Sequence, residues 1–102
     1  MPSDHVIDWG FVAKLMQIAE SANPPEYCDV DAGDVELPAS DGWRVVFFYD
    51  GGELDCISRF ITPDGRTIDY FKWPNRYDRM LRALMNWRSV GDFARLQPLL
   101  HD

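Results

Sequence analysis

The sequence predicts an α+β fold with an N-terminal helix, three or four antiparallel strands in a meander, and two C-terminal helices packed on one face of the sheet. Apolar residues recur at helical spacing near both ends of the chain, and largely apolar runs of strand length fill its middle. Turns containing glycine or proline separate those runs. Because turns this short join only antiparallel neighbours, the strands form a meander. A chain of 102 residues is expected to be one α+β domain over 1–102.

The first element is predicted to be a helix that begins after Asp8, a favourable N-cap residue, with Ser3 or Asp4 as an earlier candidate for the cap. Its apolar stripe follows the spacing i, i+4, i+7 and is formed by Phe11, Leu15 and Ile18. Pro24 and Pro25 end the helix, because proline lacks a backbone N–H and restricts the residue before it. An acidic connector over 26–42 follows, and we expect a short strand within it at 34–38.

Three further strands are predicted in the middle of the chain. The clearest covers 43–49, and because both of its faces are largely apolar we expect it to be central. After a hairpin turn at 50–53, the strand 54–62 is expected to alternate, with one face formed by Cys56, Ser58 and Phe60 and the other by Ile57, Arg59 and Ile61. A tight turn at 63–65 leads to a strand at 66–71.

Two helices are predicted after these strands. The first covers about 76–87, with an apolar side that includes Leu81, Leu84 and Trp87. The second is short and begins after Ser89, which has the character of an N-cap. Between the strands and these helices lies an aromatic and basic stretch at 70–77.

Charge is distributed unevenly along the chain, whose net charge is −7. Residues 1–65 hold thirteen acids and three bases, whereas 66–102 hold seven bases and four acids. A dipolar charge distribution of this kind determines which partners are attracted and how fast they associate. The charge pattern is the feature of this sequence that is most informative about function.

Residues 26–36 of the connector carry five acids and no base, namely Glu26, Asp29, Asp31, Asp34 and Glu36. Asp29 and Asp31 match the first two ligand positions of an EF-hand, but Gly33 and Ser40 stand where later ligands belong. We therefore expect no metal site. Two interpretations remain open for these acids: a solvated face, or a surface that binds a basic partner.

Further acids flank the hairpin and the tight turn, namely Asp50, Glu53, Asp55 and Asp64. Paired carboxylates perform acid–base catalysis only in a cleft that shifts their pKa values, and turn geometry already explains Asp50 and Asp64. We include Asp50 and Glu53 in the candidate partner-binding surface. The pair Gly51-Gly52 precedes a strand rather than a helix, so it does not indicate a phosphate-binding loop.

The stretch 70–77 combines four aromatic residues with two bases. Its aromatic residues are expected in the core, with Trp73 covering the start of the following helix, or else in a protein interface. Nucleotide stacking is less consistent with the net negative charge, so no direct nucleic-acid binding is expected. Arg76, Arg79 and Arg82 form a row on the outer helix face, which is either solvated or paired with the acids of a second copy in a homodimer.

The sequence also leads to expectations about localisation, the cysteines and cofactors. No run approaches the ~20 apolar residues of a membrane span, and the acidic N-terminus is unlike a signal peptide, so a cytoplasmic protein is expected. Cys28 and Cys56 are expected to be reduced, partly buried thiols, with a disulfide or a redox pair as the alternatives. A nucleophilic pair of either cysteine with His5 or His101 would require a chain end to fold over the core. We expect no cofactor.

Four segments resemble a small bacterial family of unknown function: Gly42-Trp43-Arg44-Val45, Phe47-Phe48-Tyr49-Asp50, Gly52-Glu53-Leu54-Asp55 and Pro63-Asp64-Gly65-Arg66. The resemblance covers about residues 33–100 and includes a leucine-rich helix with Trp87. Cys56 departs from the pattern, which often has an aromatic residue there. The resemblance implies a bacterial or phage source and no particular activity.

The sequence therefore predicts a small acidic protein without catalysis that binds a macromolecular partner. The expected partner is a basic protein surface, such as that of a nucleic-acid-binding protein, which the chain would inhibit. Anti-CRISPR and toxin-immunity proteins are analogous in size and acidity. The expected binding residues are Glu26, Asp29, Asp31, Asp34, Glu36, Asp50, Glu53, Trp73, Arg76 and Arg79. Two alternatives are a homo-oligomeric accessory domain and an unrecognised small enzyme or ligand carrier.

Overall fold

The computed structural model describes residues 7–87 and has the predicted α+β architecture. Its longer elements, in chain order, are helix α1 (Trp9–Ser21), strands β1 (Ala32–Pro38), β2 (Arg44–Asp50), β3 (Glu53–Ile61) and β4 (Thr67–Ile68), and helix α2 (Asp78–Met85). The four strands form one antiparallel sheet in the order β1-β2-β3-β4. The short helix predicted after Ser89 lies outside the described residues.

Helix α1 begins and ends where the sequence predicts. The carboxylate of Asp8 accepts a hydrogen bond from the N–H of Phe11 at 2.8 Å, which caps an amide that has no partner within the helix. At the other end, Asn23 adopts a φ of 48° and Pro24 follows. One side of the helix is buried, formed by Val12, Ala13, Leu15, Met16, Ile18 and Ala19.

Strand β3 does not alternate as predicted, because it contains two bulges. Its register against β2 shifts twice, between Phe48 and Tyr49 and between Val46 and Phe47 of the partner strand. At each shift, β3 contains one extra residue that has no partner on β2. This residue is Asp55 at the first shift and Ser58 at the second. The buried face is therefore formed by Leu54, Ile57 and Phe60 at a spacing of three, not by the alternation that placed Ile57 opposite Phe60.

The predicted strand at 66–71 is shortened to the two residues of β4. Asp69 ends it, because its carboxylate accepts a hydrogen bond from the N–H of Phe71 at 3.2 Å and begins a 3-10 turn, Tyr70–Lys72. The turn directs Tyr70 into the core, where its hydroxyl donates to the carbonyl of Ile57 at 2.5 Å. A second 3-10 turn, Asn75–Tyr77, delays the start of α2 to Asp78 rather than 76.

The core lies between the helices and one face of the sheet. Buried residues of α1 and Leu84 of α2 join a single cluster with Val45, Phe47 and Tyr49 of β2. The apolar residues of the opposite sheet face, Val46, Phe48 and Ile61, do not belong to this cluster. The described helices therefore pack on one face, as predicted. In the part of the chain that the structure describes, no helix is long and apolar enough to cross a membrane.

Candidate functional site

The acidic connector wraps around the tip of the β2–β3 hairpin. The N–H of Leu54 donates to the carbonyl of Glu26 at 2.9 Å, and the N–H of Cys28 donates to the carbonyl of Gly52 at 2.9 Å. Tyr27 thereby forms an isolated antiparallel bridge with Glu53, on the outer edge of β3. The connector thus extends the sheet locally before it crosses the hairpin tip to reach β1.

Backbone groups hold the crossing in place. The carbonyl of Asp31 accepts hydrogen bonds from the N–H groups of Gly51 and Gly52, at 2.5 and 3.2 Å. Both glycines have a positive φ, 63° and 80°, as a two-residue hairpin turn of this type requires. A Cβ atom at Gly52 would lie 3.2 Å from the carbonyl oxygen of Cys28. Glycine is therefore needed at Gly52 both for the turn and for the close approach of the connector.

This arrangement brings five exposed carboxylates to one end of the sheet. We define the acidic end as Asp29, Asp31, Asp50, Glu53 and Asp55. All five residues are exposed, and within residues 7–87 none of them takes part in a salt bridge. Asp50, Glu53 and Asp55 also line an open depression of about 250 Å³ together with Leu54. Carboxylates concentrated in this way produce a negative potential that attracts cationic groups.

The structure separates the predicted acidic set into two groups. Glu26, Asp29, Asp31, Asp50 and Glu53 meet at the hairpin tip, where Glu26 is held by its backbone next to Leu54. Asp34 and Glu36 instead lie along β1 and are paired within the sheet. Glu36 contacts Arg44 at 2.5 Å and Asp34 contacts Arg59 at 3.2 Å.

In the turn between β3 and β4, the side chain of Asp64 is bonded to other residues of the same turn. We define the turn end as Thr62, Asp64 and Arg66. The hydroxyl of Thr62 donates to the carboxylate of Asp64 and accepts the N–H of Arg66 at 2.9 Å. The guanidinium of Arg66 reaches the same carboxylate at 2.8 and 3.0 Å. The hydrogen bonds from Thr62 and then Arg66 lower the pKa of Asp64 from its ordinary value to about 2.

Trp73 lies in a cluster of aromatic rings. Its ring centroid is 6.3 Å from that of Phe11, 6.2 Å from Tyr70 and 6.3 Å from Tyr77. Since Tyr70 in turn contacts Phe60 near the far end of β3, Trp73 lies toward the end of the sheet away from the hairpin tip. It is half-buried, and the structure places it apart from the acids with which it was predicted to act.

The two candidate arginines also lie apart from the acidic end. The guanidinium of Arg76 lies 5.0 Å from the ring centroid of Tyr77, a cation–π contact. Arg79 is exposed on α2, and neither arginine forms a salt bridge among the described residues. Acidic and basic candidates therefore occupy different regions of the surface.

Tyr27 and Asp55 were not among the predicted binding residues. Tyr27 is 68% exposed and follows Glu26 directly, so the acidic end has a large exposed aromatic ring at its border. The signal for Tyr27 was an aromatic residue in a run otherwise rich in acids and proline. Asp55 is one of the two bulged residues of β3, and only the pairing with β2 shows that it does not follow the strand's alternation.

The two cysteine thiols are candidate nucleophiles, and clusters of acidic side chains are candidate metal ligands. Both cysteines are half-buried and free. Burial, and after it the charges of Asp55 and Asp34, raises the pKa of Cys56, which keeps the thiol protonated at neutral pH. A shift in this direction is opposite to that of an activated nucleophile. Across residues 7–87, no group of three or more His, Cys, Asp or Glu side chains is arranged to hold a metal ion.

Residues 14–97 match the model of a protein family described as "Domain of unknown function (DUF7693)". The chain belongs to this family. The match starts within α1 and includes all four strands, the acidic end, the turn end and α2. The predicted membership of a family of unknown function is confirmed. No curated protein and no solved structure matches the chain.

Two of the sequence motifs described above have different structural roles in this chain. The Pro63–Arg66 motif of this DUF7693 domain forms the turn end, whose side chains hold one another. The Gly52–Asp55 motif builds the hairpin tip and leaves its acids exposed. One motif thus has a structural explanation in this chain, and the other places carboxylates on the surface.

Proposed function

We propose that this protein binds a basic macromolecular surface through its acidic end and performs no catalysis of its own. The single observation that supports the proposal is the exposure of five carboxylates around one hairpin tip without a described salt bridge. Four acids elsewhere, Asp34, Glu36, Asp64 and Asp69, are by contrast each within salt-bridge distance of a base.

The proposed partner is a protein with a basic groove, of the kind that binds nucleic acid. Carboxylates at a hairpin tip would occupy sites that otherwise bind phosphates, so the chain would act as a competitive inhibitor. Long-range attraction between opposite charges accelerates such association and makes it sensitive to salt. We propose that this occurs in the bacterial cytoplasm, where the target is a host or phage protein.

The rigidity of the hairpin tip supports this role. Backbone hydrogen bonds join the connector to the glycine turn and to β3, so the backbone positions that carry the carboxylates are held close together. A preorganised surface loses less conformational entropy on binding than a flexible acidic tail. Tyr27 adds an exposed ring at the border, suited to stack on an arginine or lysine side chain of the partner.

Affinity capture from extracts of the source cell tests this proposal. The test variant carries Asp29→Asn, Asp31→Asn and Asp50→Asn, because replacing Asp34 would break a salt bridge of the sheet. The control variant carries Glu20→Gln, Asp41→Asn and Asp78→Asn, which removes the same charge from exposed positions elsewhere. We expect the wild type and the control to retain a common basic protein, identified by mass spectrometry, and the test variant to lose it.

Two further measurements sharpen the result. With the captured protein purified, a double-stranded DNA oligonucleotide should displace the chain if the acidic end occupies a phosphate-binding groove. The dissociation constant should rise with added salt for the wild type and less for the test variant. The proposal fails if the test variant binds the same partner as tightly as the control.

A further inference from the structure

Strand β1 forms an open edge of the sheet. It stands at one end of the strand order, so it pairs with β2 on one side alone. The opposite edge, on β3, is covered near both of its ends, because Tyr27 forms a bridge with Glu53 and β4 pairs with Phe60 and Ile61. Within residues 7–87, no backbone pairs with the outer side of β1. Every second residue of this strand is exposed, namely Ala32, Asp34, Glu36 and Pro38.

The hydrogen bonds at both ends of β1 show which of its backbone groups point outward. The carbonyl of Asp31 accepts from the N–H of Gly51, and the N–H of Ala39 donates to the carbonyl of Trp43 at 2.8 Å. Both pairs continue the register of β1 and β2. Hydrogen-bonded pairs alternate along an antiparallel ladder, so the odd-numbered residues bond to β2 and the even-numbered residues direct their N–H and C=O groups away from it. Pro38, which has no N–H, stands at one of these outward positions.

The two faces of the sheet differ in chemistry at this edge. On the helix side, Val35 and Leu37 are half-buried and pack against the core. A strand added beside β1 places alternate side chains next to them and extends the core. On the face opposite the helices, the register aligns Ala32 with Asp50 of β2 and Glu53 of β3 in one row. This row leads from the open edge to the acidic end.

A base on an added strand can reach the acidic end along this row. A residue opposite Ala32 stands about 10 Å from Asp50, which is two strand spacings. Lysine and arginine side chains span this distance, and the small side chain of Ala32 leaves the path open. Asp50 and Glu53 form no salt bridge within residues 7–87, whereas Asp34 and Glu36 are already bonded to arginines. The charge that recognises the base therefore belongs to the acidic end.

We infer that an extended segment of the partner adds to β1 as a further, antiparallel strand of the sheet. The segment carries apolar side chains at alternate positions, next to Val35 and Leu37, and a lysine or arginine opposite Ala32. In this mode of recognition, main-chain hydrogen bonds contribute affinity and the alternate side chains contribute specificity. The inference rests on the proposed function, because it describes how a basic partner reaches the acidic end.

The charges on β1 argue against a second copy of the chain as the added strand. A two-fold axis pairs outward residues of one β1 with outward residues of the other. Asp34 then stands opposite Glu36 of the second copy, or one of these acids stands opposite its own equivalent. Like charges directly opposite each other destabilise a strand pair. A partner segment with uncharged residues at these positions avoids the repulsion.

A synthetic peptide tests this inference without the natural partner. The probe alternates threonine and valine and ends in a lysine, so that its valines lie next to Val35 and Leu37 and its lysine stands opposite Ala32. In the antiparallel arrangement, the threonine N–H groups face β1 and the valine N–H groups face away from it. N-methylation of the threonines should therefore weaken binding at least about 10-fold relative to N-methylation of the valines, as measured by fluorescence anisotropy. Replacement of the lysine by glutamine should weaken binding at least about threefold.

Two variants of β1 separate the role of the backbone from that of the carboxylate. Glu36→Pro removes an outward N–H that β2 does not use, whereas Glu36→Gln removes the same carboxylate and keeps the N–H. We expect the proline variant to bind the probe at least about 10-fold more weakly than the glutamine variant. Heteronuclear NMR spectra verify that both variants fold. In the wild type, the bound probe should slow amide exchange at Asp34 and Glu36 at least about 10-fold, and change exchange at Val35 and Leu37 less.

The outcomes distinguish this inference from the proposed function. The inference is overturned if the probe shows no saturable binding below about 1 mM, or if the two methylated probes bind alike. It is also overturned if the wild type self-associates in sedimentation and Glu36→Pro abolishes this, because the occupant is then a second copy. Capture of a basic protein that requires Asp29, Asp31 and Asp50 but tolerates Glu36→Pro supports the proposed function and overturns the inference. Probe binding at β1 without a captured partner supports the open edge as a binding site and overturns the proposed function.

Discussion

The acidic end and the turn end show two different uses of aspartate in a β-turn. At the turn end, Asp64 is bonded to Thr62 and Arg66, so the carboxylate holds the turn together. At the acidic end, backbone groups of Asp31, Gly51 and Gly52 build the turn without any carboxylate. The fold therefore uses the carboxylate in one turn and does not use it in the other. Acids that a fold does not need are the ones available for a partner.

The largest effect that separates the two ends is expected from Thr62→Val. Thr62 is 6% exposed and its hydroxyl is bonded to both Asp64 and the N–H of Arg66. Valine keeps the shape but leaves these groups with fewer partners, so we expect a loss of about 2 kcal/mol in the free energy of unfolding. Urea denaturation measures the change, and Thr67→Val, at an exposed position of β4, is the control. Equal losses in both variants would contradict a structural role for the turn end.

The second largest effect is expected from Tyr49→Phe, which removes a hydrogen bond between the sheet and the chain that enters the connector. The hydroxyl of Tyr49 donates to the carbonyl of Pro25 at 2.6 Å, and burial raises the pKa of this tyrosine. Tyr49→Phe removes the hydrogen bond, and we expect a loss of about 1 kcal/mol. Amide exchange should accelerate at Cys28 and Leu54, which join the connector to the hairpin. Tyr77→Phe is the control. Unchanged exchange at these amides would show that backbone bonds alone position the acidic end.

A smaller effect is expected from the pH dependence of stability. The pKa of Asp64 is about 2 in the folded chain, below its ordinary value of 3.8. The charged form therefore stabilises the fold above about pH 4, and this contribution is lost as the pH falls toward 2. Asp64→Asn should lower stability at neutral pH and flatten the dependence in that window. Solvent exposure keeps the change modest. Asp50→Asn, which removes no described side-chain hydrogen bond, should leave the slope in that window closer to the wild type.

The sequence predicts elements whose signals are local. Asp8, the apolar stripe of α1 and the two prolines after it are close together in the chain, so the helix is predicted within a residue or two. The bulges at Asp55 and Ser58 were not predicted, because they exist only relative to β2. For this reason strict alternation gave the wrong side for Ile57. The shortening of β4 depends on the tertiary position of Tyr70 in the core.

The candidate site was predictable in composition and not in arrangement. The sequence does not show that Asp34 is paired with a base and that Asp31, three residues before it, is not. The distinction arises because Asp34 meets Arg59, which is 25 residues away in the chain. The connector likewise crosses the hairpin tip because of hydrogen bonds between residues about 20 to 28 positions apart in the chain. Acids that are neighbours in sequence therefore differ in what they contact.

The smallest effect on stability is expected at the acidic end itself. The variant with Asp29→Asn, Asp31→Asn and Asp50→Asn should change the free energy of unfolding by no more than about 0.5 kcal/mol, because the replaced side chains form no described hydrogen bond or salt bridge. Relief of repulsion should make the variant slightly more stable at about 20 mM salt, and this gain should vanish near 500 mM as the charges are screened. A loss comparable to that of Thr62→Val would mean that these carboxylates also support the fold. A near-zero change together with lost partner binding would show that they are kept for recognition.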